Sequence, residues 1–204
     1  MEQQQPTPSL VVATGNPGKL QEMQSYLNTD RGWYLQLKPP EIEVEETGNT
    51  FMENACLKAS QVAQATGQWA IADDSGLMVD ALGGAPGIYS ARYGNSDEER
   101  IQRLLRELGD TSQRQAKFVC ALAVAQPNGE IAISVEGICP GEILTSPKGT
   151  AGFGYDPIFY THEVGMTFAE MAPDMKKRLS HRSQAFAKLL PQLSQLFEGG
   201  SLGS

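Results

Sequence analysis

The segment WAIADDSG (69–76) sets two carboxylates side by side behind an apolar run. Trp69 to Ala72 reads as a buried strand, Asp73 and Asp74 fall where that strand is expected to end, and Ser75-Gly76 reads as the turn after it. Adjacent carboxylates repel, and burying either without a counter-charge is costly, so a cation is expected beside them. A second acidic pair, Glu45 and Glu46, lies in EVEETGNT (43–50). Oxygen donors without a His or Cys cluster suit magnesium or manganese. One carboxylate from each stretch, completed by substrate phosphates, is a usual way of holding magnesium. Each pair alone also has a plain reading: a solvated acidic loop for Glu45-Glu46, and a cap on the following turn for Asp73-Asp74.

Three further stretches carry complementary groups. TGNPGK (14–19) comprises Thr14, Gly15, Asn16, Pro17, Gly18 and Lys19 between an apolar run and a helical pattern. A glycine loop there aims backbone N–H groups at one point, the helix dipole favours an anion, and Lys19 adds a full charge. The pattern is not a Walker A loop, because Leu20 stands where Ser or Thr would hold magnesium. A structural turn would explain the glycines equally. In GTAGFGYDPIF (149–159), glycines flank Phe153 and let the backbone approach a ligand, while Phe153 or Tyr155 could stack on a base. A tight turn packed into the core is the alternative. In MKKRLSHR (175–182), Lys176, Lys177 and Arg178 read as a solvated basic helix end. His181 and Arg182 at a helix start are less expected, since that pole disfavours cations unless an anion or polar ligand is present. Together, an anion loop, hard oxygen ligands, an aromatic glycine loop and basic donors describe a nucleoside triphosphate site. No one of them does so alone.

These groups need elements to carry them. Leu10 to Ala13 reads as a strand and Leu20, Met23 and Leu27 as one helix face. Thr50 and Glu53 form a capping-box pattern for a helix that Gly67 stops. LGGAPGIYSARYG (82–94) reads as an ordered loop, and Ser96 with Glu99 caps a helix bearing Ile101, Leu104, Leu105 and Leu108. KFVCALAV and EIAISVEG flank Pro127-Asn128-Gly129, a hairpin signal, and GEIL extends the sheet. A short helix near Phe168 and a last one from Ser180 to Phe197, kinked at Pro191, complete the pattern. The expectation is an α/β protein with a mixed sheet in two lobes around a cleft.

Composition sets the bounds. The 204 residues are 40% hydrophobic and 20% charged, which suits one sizeable core with a second lobe. Residues 10–197 read as a single two-lobed domain, 1–9 as a disordered leader without signal-peptide character, and 198–204 as a flexible tail. No apolar run approaches the ~18 residues of a membrane span. Cys56, Cys120 and Cys139 are far apart and form no C-x-x-C pair, which reads as buried thiols in a reducing cytoplasm. The net charge of -8 argues against a nucleic-acid partner, while leaving room for a small phosphate ligand met by local cations or a divalent metal.

ATGNPGK, EETGNTFMENACLKA, ADDSGLMVDALGGAPGIYSARY, GTAGFGYDPIF and LSHR occur in that order, and with them the chain closely resembles the inosine triphosphate pyrophosphatase family from about Leu10 to Leu196. The resemblance implies hydrolysis of inosine, deoxyinosine and xanthosine triphosphates to monophosphate and pyrophosphate, with attack at the α-phosphorus, so that deaminated purines are cleared from the nucleotide pool. It implies an elongated mixed β-sheet with flanking helices forming two lobes around a nucleotide-binding cleft, a requirement for Mg2+, a homodimer and a cytoplasmic location. Residue by residue, it assigns Thr14, Gly15, Asn16, Pro17, Gly18 and Lys19 to the triphosphate. Asp74 is assigned as catalytic acid-base and metal ligand, Glu45 as the other metal-side carboxylate, and Ser75 a place beside the substrate. Phe153, Gly154, Tyr155, Asp156, Lys176, His181 and Arg182 complete the implied nucleotide site. A phosphatase would use similar parts and release phosphate, a kinase would need an acceptor, and a non-catalytic nucleotide sensor would show no turnover, so product analysis separates them.

Overall fold

Leu10, Val11 and Val12 are apolar in succession and fully buried, the pattern of an interior parallel strand rather than a half-exposed one. They belong to β1 (Ser9–Val12), the first element in a structure, a computed structural model, that describes residues 9–27 and 33–199. There follow α1 (Pro17–Leu27), β2 (Tyr34–Leu37), α2 (Phe51–Thr66), β3 (Ala70–Val79), α3 (Asp97–Leu108), β4 (Gln115–Ala125), β5 (Ile131–Ile143), β6 (Phe159–Thr161), β7 (Met166–Thr167), α4 (Pro173–Leu179) and α5 (His181–Gly199). Three 3-10 turns cover Asp80–Leu82, Gly87–Arg92 and Phe168–Glu170. The strands form one seven-stranded sheet in the order β2-β1-β3-β4-β5-β6-β7. β1 runs parallel to β2 and β3, whereas β6 is antiparallel to β5 and β7, so this is an α/β fold with a mixed sheet. The expected leader and tail lie outside the described residues, except that Ser9 opens β1 and α5 runs on to Gly199.

The described residues divide into two compact units. The first comprises those up to Asp74, with Ala121–Glu136 and those from Ala185 onward; the second comprises Ser75–Cys120 and Gly137–Gln184. In the first, α2 buries a stripe of small residues, Ala55, Ala59, Val62 and Ala63, at helical spacing. Tyr26 of α1 stacks on Phe186 of α5, ring centroids 4.6 Å apart. In the second, Leu77, Val79, Leu104, Ile143, Ile158, Phe159 and Phe168 form the core, and Phe118 packs on both Phe159 and Phe168.

Element ends follow the capping rules. The Thr50 hydroxyl accepts from Glu53 N at 3.1 Å, and Gly67 stops α2 with a left-handed φ of 64°. The Glu53 carboxylate accepts from Asn49 N at 2.6 Å, one residue before the position a capping box requires. The 126–130 hairpin closes through Gln126 N to Glu130 O at 2.8 Å. Between Ser180, whose backbone is extended, and Ser183 N there is a hydrogen bond of 3.2 Å to the Ser180 hydroxyl, so the MKKRLSHR stretch is split between α4 and α5.

One expectation fails. β3 does not end at Asp73-Asp74, and Ser75-Gly76 is no turn: the strand continues to Val79. Leu77 and Val79 are 0% exposed, and their burial outweighs the turn propensity of Ser-Gly. The chain reverses only after Val79, where Gly83 takes φ 62°.

Among the described residues no helix is long and apolar enough to cross a membrane. Cys120 and Cys139 are buried and Cys56 is half-buried; burial pushes the Cys139 thiol up to about 11.

Candidate active site

In the first unit, the buried stripe of α2 contains two polar interruptions, Asn54 and Lys58, one helical turn apart and only 1% and 7% exposed. Both meet Asp74. The Lys58 ammonium lies 3.1 Å from Asp74 Oδ1 and 2.9 Å from Glu46 Oε1. Asn54 Nδ2 donates to Asp74 Oδ2 at 3.2 Å, and Gly48 N donates to the Asn54 side-chain oxygen at 2.8 Å. That amide thereby fastens the 45–50 loop to the strand. Gly48 has to be glycine here, because a β-carbon would lie 2.7 Å from Glu53 Cβ and 2.8 Å from Asn54 Oδ1. Consecutive strand residues face opposite sides, which separates the two aspartates and gives each its own lysine. Asp73, 5% exposed, is held by Lys19 Nζ at 3.2 and 3.3 Å from its two oxygens.

Charge follows from this geometry. Burial pushes the Asp74 carboxyl above the usual carboxylate range, against the pull of the Lys58 charge and hydrogen bond. Burial draws the Lys58 ammonium down, but Asp74 and Glu46 carry it above its ordinary value. In the 14–19 loop, Asn16 N donates to Thr14 Oγ1 at 3.1 Å and Gly18 N to Asn16 Oδ1 at 2.8 Å, while α1 starts at Pro17. Lys19 thus sits in the first turn of α1, at its positive pole.

In the second unit, Phe153 stands 67% exposed in a glycine loop. Asp156, 3% exposed, accepts from Phe153 N at 2.8 Å and from the Lys176 ammonium through the same Oδ2. Lys176 Nζ also lies 4.7 Å from the Phe153 ring centroid, over its face. Burial raises the Asp156 carboxyl, and Lys176 opposes it. Gly152 has φ 79°, and a β-carbon there would sit 2.0 Å from Asp156 Oδ2. Arg182 Nη2 donates to Ser75 Oγ at 3.2 Å, and His181 stacks on Phe118 with centroids 4.9 Å apart.

The structure therefore brings Lys19 to Asp73, Glu46 and Asp74 to Lys58, Lys176 to Asp156 and Phe153, and Arg182 to Ser75. Glu45 is exposed beside Glu46. Tyr155 belongs to the core, 4% exposed, with its hydroxyl donating to Ser90 O at 2.9 Å, while Phe153 is the aromatic ring left on the surface. Asn54 and Lys58 were missed in the sequence, although two polar residues inside an Ala/Val stripe were the signal. Among the described residues, no three His, Cys, Asp or Glu side chains converge as a ready-made metal cage. Glu46 and Asp74 nevertheless share one ammonium, so their oxygens converge on one small cationic centre. Two hard carboxylates, completed by phosphate oxygens and water, fit magnesium.

The model of the Ham1 family matches residues 10–192. The dITP/XTP pyrophosphatase of Nostoc sp. is 63% identical over 196 residues, covering 96% of this chain and 99% of its own. That of Synechocystis sp. is 64% identical over 185 residues, covering 91% and 95%. Among solved structures, the Staphylococcus aureus Ham1 protein superposes with a TM-score of 0.85 at 40% identity, covering 92% of this chain and 99% of that one. A nucleoside-triphosphatase, or dITP/XTP pyrophosphatase, from Mycobacterium abscessus gives 0.76 at 42% identity, covering 91% and 99%.

Proposed function

The chain belongs to the Ham1 family, and from that premise we propose that it hydrolyses dITP, ITP and XTP to the nucleoside monophosphate and pyrophosphate. The observation that carries this reading is the clasp on Asp74, whose half-buried carboxylate is aimed by Asn54 and Lys58. A carboxylate made more basic by burial is suited to take a proton from an attacking water, and one held on two sides is fixed in direction. The resemblance assigns Glu45 and Asp74 to magnesium; of the two adjacent acids, Glu46 is the one that shares the Lys58 ammonium with Asp74, so Glu46 and Asp74 would hold the ion, with Glu45 as an exposed neighbour. Magnesium supplies positive charge to the triphosphate oxygens and eases deprotonation of water.

The chain's own groups do the remainder. Lys19 and the N–H groups of residues 14–19 offset the charge growing on the leaving pyrophosphate. Asp73 holds Lys19 in place from a buried position. In the second unit, Phe153 offers a ring face for any purine, while Tyr155 and Asp156 brace the loop from within. His181 and Arg182 are donors, matched to the 6-carbonyl of hypoxanthine and xanthine rather than to the 6-amino group of adenine. A homodimer in the cytoplasm, with no nucleic-acid or membrane partner, belongs to the same reading. The test is product analysis: dITP with magnesium should yield monophosphate and pyrophosphate in equal amounts, ATP should be spared, and chelator should stop turnover. Release of orthophosphate instead, or no turnover, would sink the proposal.

A further inference from the structure

Phe153 is a large apolar ring that the core does not hold: at 67% exposure, its position depends on how the backbone of its loop is tethered. Two successive N–H groups of that loop each donate to a carboxylate. Phe153 N donates to Asp156 within the loop, and Gly154 N donates to Asp97 Oδ2 at 2.7 Å from a residue 57 positions away in sequence. Asp97 is the first residue of α3, where an acid is ordinarily explained by the helix dipole. The capping duty there is already met by Ser96, whose hydroxyl accepts from Glu99 N at 3.1 Å. Asp97 instead spans two elements. Its Oδ1 takes the Arg100 guanidinium at 2.6 Å, which orients the carboxylate, and its Oδ2 reaches Gly154. Gly154 has φ 63° and no neighbour near a would-be β-carbon, so its amide direction follows from a backbone shape that glycine makes accessible.

We propose that Asp97 is a positioning residue for nucleotide binding: from the start of α3 it fixes the Gly154 amide, and through it the presentation of the Phe153 ring. The inference rests on the reading of residues 149–159 as the base-binding loop. Without the carboxylate, the Gly154 amide turns to water and the loop samples other shapes. Apparent affinity then falls by the fraction of time the binding shape is populated. One charge-assisted hydrogen bond corresponds to a loss of roughly tenfold.

The experiment measures binding of inosine monophosphate and, separately, inorganic pyrophosphate to the full chain by calorimetry, alongside dITP kinetics. Four variants are compared: Asp97→Ala, Asp97→Asn, Glu98→Ala and Phe153→Ala. Glu98 is an exposed acid of the same helical turn without the loop contact, and so controls for the dipole. Expected for Asp97→Ala are roughly tenfold weaker monophosphate binding, a matching rise in KM, kcat within about twofold of the parent, and unchanged pyrophosphate binding. Asp97→Asn, which keeps an acceptor oxygen, should recover part of the loss, and Glu98→Ala should show none. If Asp97→Ala proves unstable, hydrogen exchange over residues 150–157 in Asp97→Asn decides: faster exchange confined there supports the role, and unchanged exchange overturns it. Should Phe153→Ala weaken monophosphate binding while Asp97→Ala does not, the inference is wrong and the base-loop reading stands. Should neither weaken it, the base-loop reading fails and the inference fails with it.

Discussion

Replacing Lys58 by methionine keeps an unbranched side chain only one atom shorter and removes the charge that Glu46 and Asp74 share. At about 3 Å and an effective dielectric near 20, each contact is worth roughly 5 kcal/mol of Coulomb attraction before desolvation is subtracted. The ammonium no longer has to be buried, which offsets much of that. The two acids then differ in their escape. The Glu46 side chain is 31% exposed and can turn to water, whereas the Asp74 side chain is 14% exposed and lies in the interior of β3. The residual cost is that of stranding one largely shielded carboxylate, about 3 kcal/mol, the low end for a one-sided break of a buried pair. For a chain of this size that corresponds to a fall in Tm of roughly 6–12 °C near neutral pH. Calorimetry of the parent, Lys58→Met, Asp74→Asn and the double variant measures it. The double variant should regain most of the loss, because neither partner then leaves an uncompensated charge. The deficit of Lys58→Met should also shrink as pH falls through the Asp74 pKa, which burial raises, because the carboxyl then takes up its proton. A Lys58→Met protein within about 1 kcal/mol of the parent, or a double variant no more stable than the single, would mean that Lys58 does not neutralise Asp74.

Gly152→Ala should raise KM for dITP at least tenfold (roughly, from the loss of a charge-assisted hydrogen bond), since its β-carbon would meet Asp156 Oδ2 at 2.0 Å. Gly67→Ala, with φ 64° but open space around it, should lower Tm and leave KM alone; equal KM values in the two variants would contradict the steric account. Arg182→Ala should lower kcat/KM for dITP far more than for dATP, while Phe153→Ala weakens both about equally. If Arg182→Ala scales both substrates by one factor, base reading lies elsewhere. The raised carboxyls of Asp74 and Asp156 mean that the folded chain holds more protons than the unfolded one just above their ordinary value of 3.8. Their contribution to stability is complete below that value and is lost as pH rises through the folded pKa values. Denaturant unfolding from about pH 4 upward should show Asp156→Asn losing less stability than the parent; parallel slopes would argue against it.

Much of the architecture was legible because local rules and burial agreed. Thr50, Gly67, Ser96 and the 127–129 turn each do what their side chains favour, and the Ala/Val stripe of α2 marks a helix packed on a sheet. The fate of β3 was less legible. Ser75-Gly76 carries a turn signature, and only the burial of Leu77 and Val79 keeps the strand going. At the candidate site, the charged types in the TGNPGK and IADDSG stretches announced themselves, but their pairing did not. That Asp73 takes Lys19 while Asp74 takes Lys58 depends on which face of a strand each occupies once its register is set. Asn54 and Asp97 escaped notice because each has a sufficient local explanation, as an ordinary helix residue and a first-turn acid. Their partners, Asp74 and Gly154, lie 20 and 57 residues away. Tyr155 and Phe153 looked equivalent in sequence, and only the core separates them.

In the proposed reaction, a water activated at Asp74 attacks the α-phosphorus of a deaminated purine triphosphate. Hydrolysis of dITP in 18O-labelled water tests it most directly, with both products read by mass spectrometry. Label is expected in the deoxyinosine monophosphate and none in the pyrophosphate, with the Asp74→Asn chain folded but slower by at least ~10²-fold. Label in pyrophosphate or orthophosphate, or near-parental turnover by Asp74→Asn, would contradict it.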